Sequence, residues 1–317
     1  MKLVQKECAV AIDSNKANKV IRRIKQNYEL YLFLLPTAVL LIILNYVPMY
    51  GVTLAFKDFV PTEGITGSSW VGFKYFIDFF NSFQFKRIIT NTLVINISSL
   101  IFGFPVPIIV ALMLNQVYHE RYKRFIQTVT YAPHFISTVV LVGMMSVFLS
   151  PKSGIINRAI ELLGGQPVFF MSKPEWVTPL YILSDLWQNT GWNTIIYLGA
   201  LAGINPELYE AAIVDGANKF RRIIHIDIPV ILPTSVILLI FAAGNIMSVG
   251  FDKIFLMQNS LNRVATDVIP TYVYEMGLVR AQFSLSTAVN LFNSTINIIM
   301  LIKVNKIVKK LSDTSLF

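Results

Sequence analysis

Charged residues are scarce in this sequence. Only 14% of its 317 residues are Asp, Glu, Lys or Arg, whereas a soluble domain carries about 25%. Hydrophobic residues make up 54% of the chain, and the mean hydropathy is +0.59. This balance is typical of a membrane protein rather than of a soluble enzyme or a soluble binding domain.

Cysteine and histidine are also rare. The single cysteine, Cys8, excludes a disulfide within one copy of the chain. With only three histidines, we expect no zinc site and no other bound metal. The sequence lacks a G-x-x-x-x-G-K-[ST] phosphate loop, an H-E-x-x-H motif and a G-x-S-x-G nucleophile elbow. We therefore expect that the chain is not an enzyme, does not hydrolyse ATP itself and binds no cofactor of its own.

Long apolar runs, in contrast, are abundant. An α-helix needs roughly 20 apolar residues to cross a bilayer, and six such spans are predicted. They cover residues 30–50, 88–116, 125–149, 177–203, 231–251 and 282–302. The sequence shows no internal repeat and no loop long enough to form a separate domain. It therefore predicts an all-α, multi-pass membrane protein with six transmembrane helices.

The distribution of positive charge predicts the orientation of these spans. With the N-terminus inside, most of the 27 Lys and Arg residues fall on the cytoplasmic side. Both termini are then cytoplasmic: a basic segment, 1–29, with a candidate amphipathic surface helix, and a tail, 304–317, flank the membrane domain, 30–303. The net charge of +9 fits this orientation and an attraction to anionic lipid, and it is not evidence for nucleic-acid binding.

One cytoplasmic loop, 205–229, carries many charges between two apolar spans. Asn205 is a candidate N-cap, Gly216 suits the left-handed conformation that ends a helix, and Asn218 suits the cap of a second helix. Pro229 predicts a break before the next span. The loop is therefore predicted to form two short helices around a glycine turn. It is either a knob that docks onto another protein or a simple solvated loop.

The second helix of this loop is predicted to be amphipathic. Phe220, Ile223 and Ile224 share one apolar face, whereas Arg221 and Arg222 point elsewhere. A short element with this pattern is suited to docking into a groove on another protein.

The stretch EAAIVDGANKFRRIIHIDIP resembles the EAA loop of ABC importer permeases, whose pattern is EAA, three residues, Gly, nine residues and then Ile-x-Leu-Pro. The matching positions are Glu210, Ala211, Ala212, Gly216, Ile226 and Pro229, and Ile228 replaces the usual leucine. Other stretches, among them YAPHFIS, GWNTIIYLGALAGINPELYEAA and VGFDKIFLMQN, resemble the sugar-importer branch of this MalF-like, binding-protein-dependent family. The resemblance extends over residues 25–317 and is greatest for permeases of complex oligosaccharides and polysaccharide fragments.

This resemblance implies a type I ABC importer permease fold in the bacterial cytoplasmic membrane. It also implies a second homologous permease subunit, two ATPase subunits that bind ATP and Mg, an extracytoplasmic solute-binding protein (often a lipoprotein) and an oligosaccharide substrate. The residues that it assigns to ATPase coupling are Glu210, Ala211, Ala212, Asp215, Gly216, Arg221, Arg222 and Pro229. In that picture Glu210 anchors the loop in the ATPase, Gly216 permits the turn, and Arg221 or Arg222 pairs with nearby acids.

Polar side chains recur at helical spacing in three spans, where they are costly unless they face a cavity or another helix. They are Asp185, Gln188, Asn189 and Trp192 in the fourth span, Asn245, Ser248 and Asp252 in the fifth, and Ser286, Asn290, Asn293 and Asn297 in the sixth. Amides donate and accept hydrogen bonds, as sugar hydroxyls do, so the three stripes together predict a polar substrate pathway. For each single residue, hydrogen bonding between helices is the alternative.

Asp185 is the most costly of these side chains in a membrane, and it either pairs with a cation, contacts water or is protonated. Lys253 is expected near the outer mouth, where it would attract an acidic sugar or simply flank the membrane. His134, which follows Pro133, is expected to serve packing or a helix kink.

Two other classes of function are open to a chain of this composition. A self-contained secondary carrier for a polar solute would need buried charges to couple ions and would usually show a pair of repeats. A membrane-embedded enzyme would need a catalytic constellation. The sequence shows none of these features, so the importer permease is preferred.

Overall fold

The computed structural model describes residues 26–311. Cys8 and all but the end of segment 1–29, with its candidate surface helix, lie outside this range. The chain divides into two compact units, of which the first ends at Thr53 and the second begins at Leu54.

The first unit contains one apolar helical stretch. Helix α1 (Tyr28–Leu41) is followed by a π-helical turn (Ile42–Tyr46) and by a 3-10 segment (Val47–Phe56), whose last residues belong to the second unit. The whole stretch, Tyr28–Phe56, has 29 residues, and its most apolar 18-residue window has a mean hydropathy of 2.2 and contains no buried residue. A helix this long and this apolar is suited to a bilayer.

The second unit begins with a small β-hairpin that holds a buried lysine. Its two strands pair antiparallel with Lys57 opposite Trp70, and Lys57 Nζ donates to the backbone oxygen of Ile65 across 2.6 Å. Because the lysine cation is bonded in this way, it is accommodated despite its burial. The elements of this region are β1 (Lys57–Asp58), α2 (Gly64–Gly67), β2 (Ser69–Trp70) and α3 (Lys74–Asn81).

Two helices then join end to end. Helix α4 (Phe85–Gly103) continues through Phe104 into α5 (Pro105–Asn115), and together they form a 31-residue apolar stretch. Pro105 and Pro107 lie in the first turn of α5, where a missing backbone N–H costs little. The second predicted span is therefore present as a pair of contiguous helices.

The third predicted span, 125–149, is not one helix. Helix α6 (Glu120–Tyr131) and a 3-10 turn (Ala132–Phe135) precede α7 (Thr138–Phe148), and the two parts are bent by 97°. Pro133 lies in the 3-10 turn, and Ser137 caps α7 by accepting a hydrogen bond from the backbone N–H of Val140. The chain thus ends one helix and begins another where a single span was expected.

Helix α9 is the central element of the second unit. It packs against α4, α5, α6 and the helix Ile228–Gly244. Its apolar residues Val177, Leu180 and Tyr181 pack in one core cluster with residues of α7 and of the helix Phe251–Met257. The elements up to this point are α8 (Ile155–Leu162), a 3-10 turn (Pro174–Trp176) and α9 (Val177–Leu201).

Segment 205–229 forms two helices, as predicted, but the second helix does not stop at Pro229. Helix α10 (Pro206–Val214) is separate, whereas α11 (Lys219–Arg222) runs through a π-helical turn (Ile223–Asp227) into α12 (Ile228–Gly244). The prediction of a break at Pro229 is wrong. The π-turn changes the hydrogen-bond register just before the proline, so its missing N–H does not interrupt a helix interior.

The fifth predicted span, 231–251, ends earlier than expected. Helix α12 stops at Gly244, and a turn, 245–247, and an irregular segment, 248–250, precede the next helix. Asn245, Ser248 and Asp252 therefore do not lie on one helix, and the prediction of a helical stripe there is wrong. The remaining elements are α13 (Phe251–Met257), α14 (Arg263–Thr266), α15 (Ile269–Tyr274), a π-turn (Glu275–Val279) and α16 (Phe283–Leu311).

Four helical stretches in the described residues are long and apolar enough to cross a membrane, and a fifth is added if the bent α6–α7 pair counts as one span. The four are Tyr28–Phe56, Phe85–Asn115, Lys219–Gly244 and Phe283–Lys310. Helix α9 has 25 residues and is long enough, but its polar residues keep it outside this group. The second unit is a helical membrane bundle whose least apolar long helix lies at its centre.

Candidate functional site

The hairpin formed by α10 and α11 has the local geometry that the sequence predicts. Asn205 Oδ1 accepts from the backbone N–H of Glu207 at 3.1 Å, and Asn218 Oδ1 accepts from that of Arg221 at 2.9 Å. Both predicted N-caps are therefore confirmed. Gly216 has a φ of +74°, the left-handed conformation that favours glycine, and it lies just after α10 as predicted.

The hairpin presents apolar residues on its surface. Val214 is 88% exposed and Phe220 is 70% exposed, and Ile213 and Ile224 are exposed as well. Exposed apolar side chains concentrated on one element favour a contact surface. This arrangement fits the docking interpretation of the loop better than the interpretation as a simple solvated loop.

The other predicted coupling residues occupy different depths. Glu210, Ala211, Asp215, Arg221 and Pro229 are exposed, and Ala212 is half-buried. Arg222 is buried, a position that the amphipathic pattern did not indicate. It belongs to the first turn of the long α11–α12 helix, so the packing of that helix determines its burial.

Asp227 organises a buried network that the sequence analysis missed. Its side chain is fully buried; Tyr209 Oη donates to Oδ1, Asn115 Nδ2 donates to the same oxygen across 3.4 Å, and Gln116 Nε2 donates to Oδ2 across 2.9 Å. Burial, and then the hydrogen bond to Asp227, raises the pKa of Tyr209 to about 12. One carboxylate thus ties α10 to the end of α5 and to the start of the long helix.

A cleft of about 290 Å³ lies between the end of α5 and the hairpin. Glu210 and Arg222 both line it, and neither forms an ion pair with any other residue in the described range, 26–311. The other lining residues are Asn115, Gln116, Val117, Tyr118, Pro206, Tyr209 and Ile213. The cleft therefore presents one carboxylate and one guanidinium that are both available to a partner.

Asp185, on α9, pairs with Lys253, on α13. Lys253 Nζ lies 3.2 Å from Asp185 Oδ1, and Asn189 Nδ2 donates to the same oxygen across 3.0 Å. The lysine side chain is 7% exposed and lies over the ring of Tyr181, whereas the aspartate side chain is 41% exposed. Of the alternatives for Asp185, pairing with a cation is confirmed. Lys253 is buried and its ammonium group is paired with Asp185, so it is not the free surface cation that flanking the membrane would require; its expected position near the outer mouth stays a prediction.

Asp185 also lines a polar cavity of about 290 Å³ between α4, α9 and the end of α12. Asn245 and Ser248, from the turn after α12, lie on the same wall, and Ser248 Oγ accepts from Asn297 Nδ2 on α16 across 2.9 Å. The lining also includes Asn96, Ser99, Leu100, Gly103, Phe104, Asn193, Ala242 and Ile246. At least one residue from each predicted stripe therefore lies in or next to this cavity.

Asn96 and Ser99 gave little signal in the sequence because they lie inside the apolar α4. Asn96 Nδ2 and Ser99 Oγ have no hydrogen-bond partner among the described residues. A spacing of three residues places both on one helix face, and Asn193 follows Asn189 by four. The spacing could have identified all three, but it does not distinguish a cavity from a helix contact.

The rest of the α9 stripe lies at the break between α6 and α7. Gln188 Nε2 donates to the backbone oxygen of Ile136 across 2.7 Å, so this residue bonds neighbouring segments. The His134 ring stacks on Trp192 with centroids 4.4 Å apart, and His134 Nδ1 lies 3.0 Å from Asn189 Oδ1. These contacts match the packing role expected of His134 and assign Gln188 to helix contact rather than to the cavity.

A second cavity, of about 370 Å³, lies beside the first part of α16. Ser286, Asn290 and Asn293 line it together with Phe251 and Tyr274, whose rings lie 5.1 Å apart. The α16 stripe is thus divided between two places, because Asn297 lies near the first cavity. Asp252 is exposed and lines neither cavity.

Comparison with known proteins identifies the class of this architecture. Residues 103–313 match the family described as binding-protein-dependent transport system inner membrane component. The chain is 43% identical over 313 residues to Protein LplB of Bacillus subtilis (strain 168), covering 99% of this chain and 98% of that protein. It is 40% identical to the polygalacturonan/rhamnogalacturonan transport system permease protein YteP of the same organism, covering 98% and 96%.

A solved structure has the same fold. A chain from a bacterial alginate ABC transporter, crystallised in complex with a periplasmic protein that carries an alginate pentasaccharide, matches with a TM-score of 0.86 and 39% identity. The match covers 93% of this chain and 99% of that chain. The hairpin, the polar cavity and the helical bundle thus occur in a chain that belongs to the family of binding-protein-dependent transport system inner membrane components.

Proposed function

We propose that this chain is the transmembrane permease subunit of an ABC transporter that imports oligosaccharides or polysaccharide fragments. The observation that carries the proposal is the hairpin, on which the EAA-type Glu210 is exposed. The hairpin lies at one end of the long α11–α12 helix, and the polar cavity lies at the other end of that helix. The similarity to the alginate transporter chain and to the polygalacturonan/rhamnogalacturonan permease supports the substrate class.

The proposed topology has six spans with both termini in the cytoplasm of a bacterium. The four apolar stretches supply four spans, and the broken α6–α7 pair and α9 supply the other two. A polar helix such as α9 is acceptable in a bilayer when neighbouring helices cover it and its polar residues face a cavity. In this arrangement the α10–α11 hairpin lies on the cytoplasmic side, as the positive charge of the flanking segments favours.

In the proposed mechanism two ATPase subunits bind ATP and Mg, and one of them holds the hairpin of this chain. A second, homologous permease completes the pathway, and an extracytoplasmic solute-binding protein delivers the sugar. Closure of the ATPases would move the hairpin, and the network around Asp227 would pass this movement to α5 and to the long α11–α12 helix.

We assign the sugar pathway to the cavity lined by Asp185, Asn245 and Ser248, with Asn297 behind it. Amide and hydroxyl groups match the donors and acceptors of a hydroxyl-rich ligand. The second cavity adds Asn290 and Asn293 beside the aromatic rings of Phe251 and Tyr274, and such rings stack on the apolar faces of sugars. Gln188, Asn189 and Trp192 position the cavity wall rather than contact the sugar.

The first experiment is affinity purification of the chain from its native membrane, with every co-purifying protein identified by mass spectrometry. We expect an ATPase and a second six-span permease. The Glu210→Lys variant should lose the ATPase, whereas the Glu207→Lys control, one turn earlier, should retain it because its glutamate bonds the Asn205 side chain. Recovery of a stable, monodisperse chain alone would contradict the proposal.

The Asp185–Lys253 pair gives one observation in favour of a secondary carrier, because such carriers use buried charges to couple ions. A measurement of sugar uptake without an ion gradient distinguishes the carrier from the importer. Sugar uptake by a carrier would stop when a protonophore or ionophore dissipates the ion gradient. Uptake by the importer would continue as long as the cell holds ATP, and it would require the ATPase.

A further inference from the structure

Arg222 is a buried cation that forms no ion pair within residues 26–311. It is 9% exposed, and its Nε is buried without a hydrogen-bond partner. Among residues 26–311 no carboxylate forms an ion pair with its guanidinium. A buried charge of this kind costs free energy in the isolated chain unless an opposite charge compensates it.

The neighbouring carboxylates do not fill this role. Asp227 is fully buried, and its two oxygens already accept from Tyr209, Asn115 and Gln116. Glu210 lines the same cleft as Arg222 but is exposed and forms no ion pair within the described part of the chain. The cleft therefore has a cation in its wall and an anion at its surface, and both are unpaired.

We infer that this cleft is the receptor for one acidic side chain of the ATPase subunit, whose carboxylate pairs with Arg222. The inference rests on the proposed function, because it takes the hairpin as the docking element. It extends that function by naming the chemistry of the partner: an acidic residue for Arg222, next to a basic residue for Glu210. Without the basic neighbour, Glu210 would repel the incoming acid.

The dimensions and chemistry of the cleft fit one such side chain. Its volume of about 290 Å³ exceeds that of a carboxylate side chain, and it opens between the end of α5 and α10. A guanidinium group offers donors in a planar fork that matches the two oxygens of a carboxylate. Because the cleft wall excludes water from Arg222, a pair formed there is stronger than one on an open surface.

The inference predicts that removal of the Arg222 charge does not lower the stability of the free chain but weakens its binding to the ATPase. Arg222→Met keeps an apolar stem of similar length and removes the unpaired charge. The purified chain should therefore keep or raise its melting temperature. The complex should lose ATPase affinity by roughly thirtyfold or more, since the partner carboxylate would be left in the cleft without its cation and beside Glu210.

The test uses the ATPase subunit identified with the wild-type complex, titrated against the purified chain in detergent at about 0.15 M salt. Arg158→Met is the control, because Arg158, on α8, is an exposed arginine outside the hairpin; it should bind as the wild type does. Arg222→Lys, which keeps the charge but not the planar fork, should recover part of the affinity.

Two results would overturn the inference and leave the proposed function intact. One is ATPase binding that Arg222→Met and the control Arg158→Met leave equally unchanged. The other is a fall in the melting temperature of the free Arg222→Met chain, which would show that Arg222 is compensated within its own chain. Failure of the wild-type chain to bind any ATPase is a separate outcome, and it would remove the proposed function and this inference together.

Discussion

Asp185 and Lys253 show, at the scale of single residues, how a charge is accommodated in an apolar bundle. They are 68 residues apart in sequence, yet their side chains lie within 3.2 Å. The carboxylate faces the polar cavity and the ammonium group is buried behind it. Sequence spacing identifies Asp185 as unusual, but no local pattern gives its partner, because the pairing depends on how α13 packs against α9.

We expect Asp185→Asn to destabilise the protein, because it leaves the Lys253 cation buried without its counter-charge. The aspartate is partly exposed, so the expected cost is about 1–3 kcal/mol rather than the full penalty of a wholly buried pair. Thermal unfolding of the detergent-purified chain measures this. The double variant Asp185→Asn/Lys253→Met should recover most of the loss, and the exposed Asp252→Asn should change little. Equal stability of Asp185→Asn and the wild type would contradict a structural role for the pair.

Tyr209 provides a prediction in alkali. Its pKa is raised to about 12 from the ordinary value of 10.0, first by burial and then by the Asp227 carboxylate. The folded state therefore favours the protonated phenol, and this contribution to stability is complete below pH 10 and is lost as the pH rises towards 12. In the difference spectrum between wild type and Tyr209→Phe, tyrosinate absorbance should appear near pH 12. A transition near pH 10 would show that the Tyr209–Asp227 contact is absent in solution.

At the scale of elements, the close approach of α9 to the end of α6 depends on one glycine. A Cβ at Gly191 would lie 2.1 Å from the backbone oxygen of Thr130, whereas a Cβ at Gly199, two turns further along α9, would meet nothing within 4 Å. Only the first position requires glycine. Since the Thr130 contact is to backbone, a side-chain rotation does not relieve it.

Gly191→Ala should therefore push α6 away from α9 and destabilise the chain by about 1–3 kcal/mol. Gly199→Ala is the matched control and should be neutral or stabilising by up to about 1 kcal/mol, because alanine is the better helix former. The melting temperatures of the two purified variants measure this difference in stability. A Gly191→Ala variant as stable as Gly199→Ala would mean that the two helices are further apart than described.

The elements also show where sequence patterns are sufficient. The caps at Asn205 and Asn218 and the turn at Gly216 were predictable, because each depends on local chemistry within a few residues. Pro229 wrongly predicted a helix break, because the π-turn before it changes the hydrogen-bond register and the missing N–H of the proline interrupts no helix. Pro133 and His134 indicated a kink near Phe135, but a break of 97° was not predictable, since the apolar run continues across it.

At the scale of the whole molecule, composition alone gives the class, and the arrangement of the pathway requires the structure. Residues Asp185, Asn245 and Asn297 were predicted as members of three separate stripes, and the fold brings them to one cavity. Tyr209 and Asp227 were assigned no role in coupling, and Lys253 was not recognised as the partner of Asp185, because long-range contacts define these roles. Patterns of period 3.6 reveal one helix at a time, whereas a cavity belongs to several helices.

The proposed orientation can be tested with a chain that has only one cysteine to remove. In a Cys8→Ser background we expect Ser153→Cys to react with a membrane-impermeant maleimide in intact cells, because the proposed topology exposes the loop before α8 outside. Lys219→Cys, on the hairpin, should react only after the membrane is opened. Both side chains are exposed, so access to reagent is not limited by packing. Labelling of Lys219→Cys in intact cells would show that the hairpin lies outside and would contradict the proposed topology.

The unbroken helix from Lys219 to Gly244 has a mechanical consequence. Its 26 residues give a rod of ~39 Å, with the hairpin at one end and the Asn245–Ser248 turn at the other. A rod pivoting near one end magnifies small rotations: a tilt of about 5° displaces its far end by roughly 3 Å, which is the length of one hydrogen bond. A small rotation of the helix at the hairpin is therefore enough to break the hydrogen bond between Ser248 and Asn297 and to change the width of the cavity.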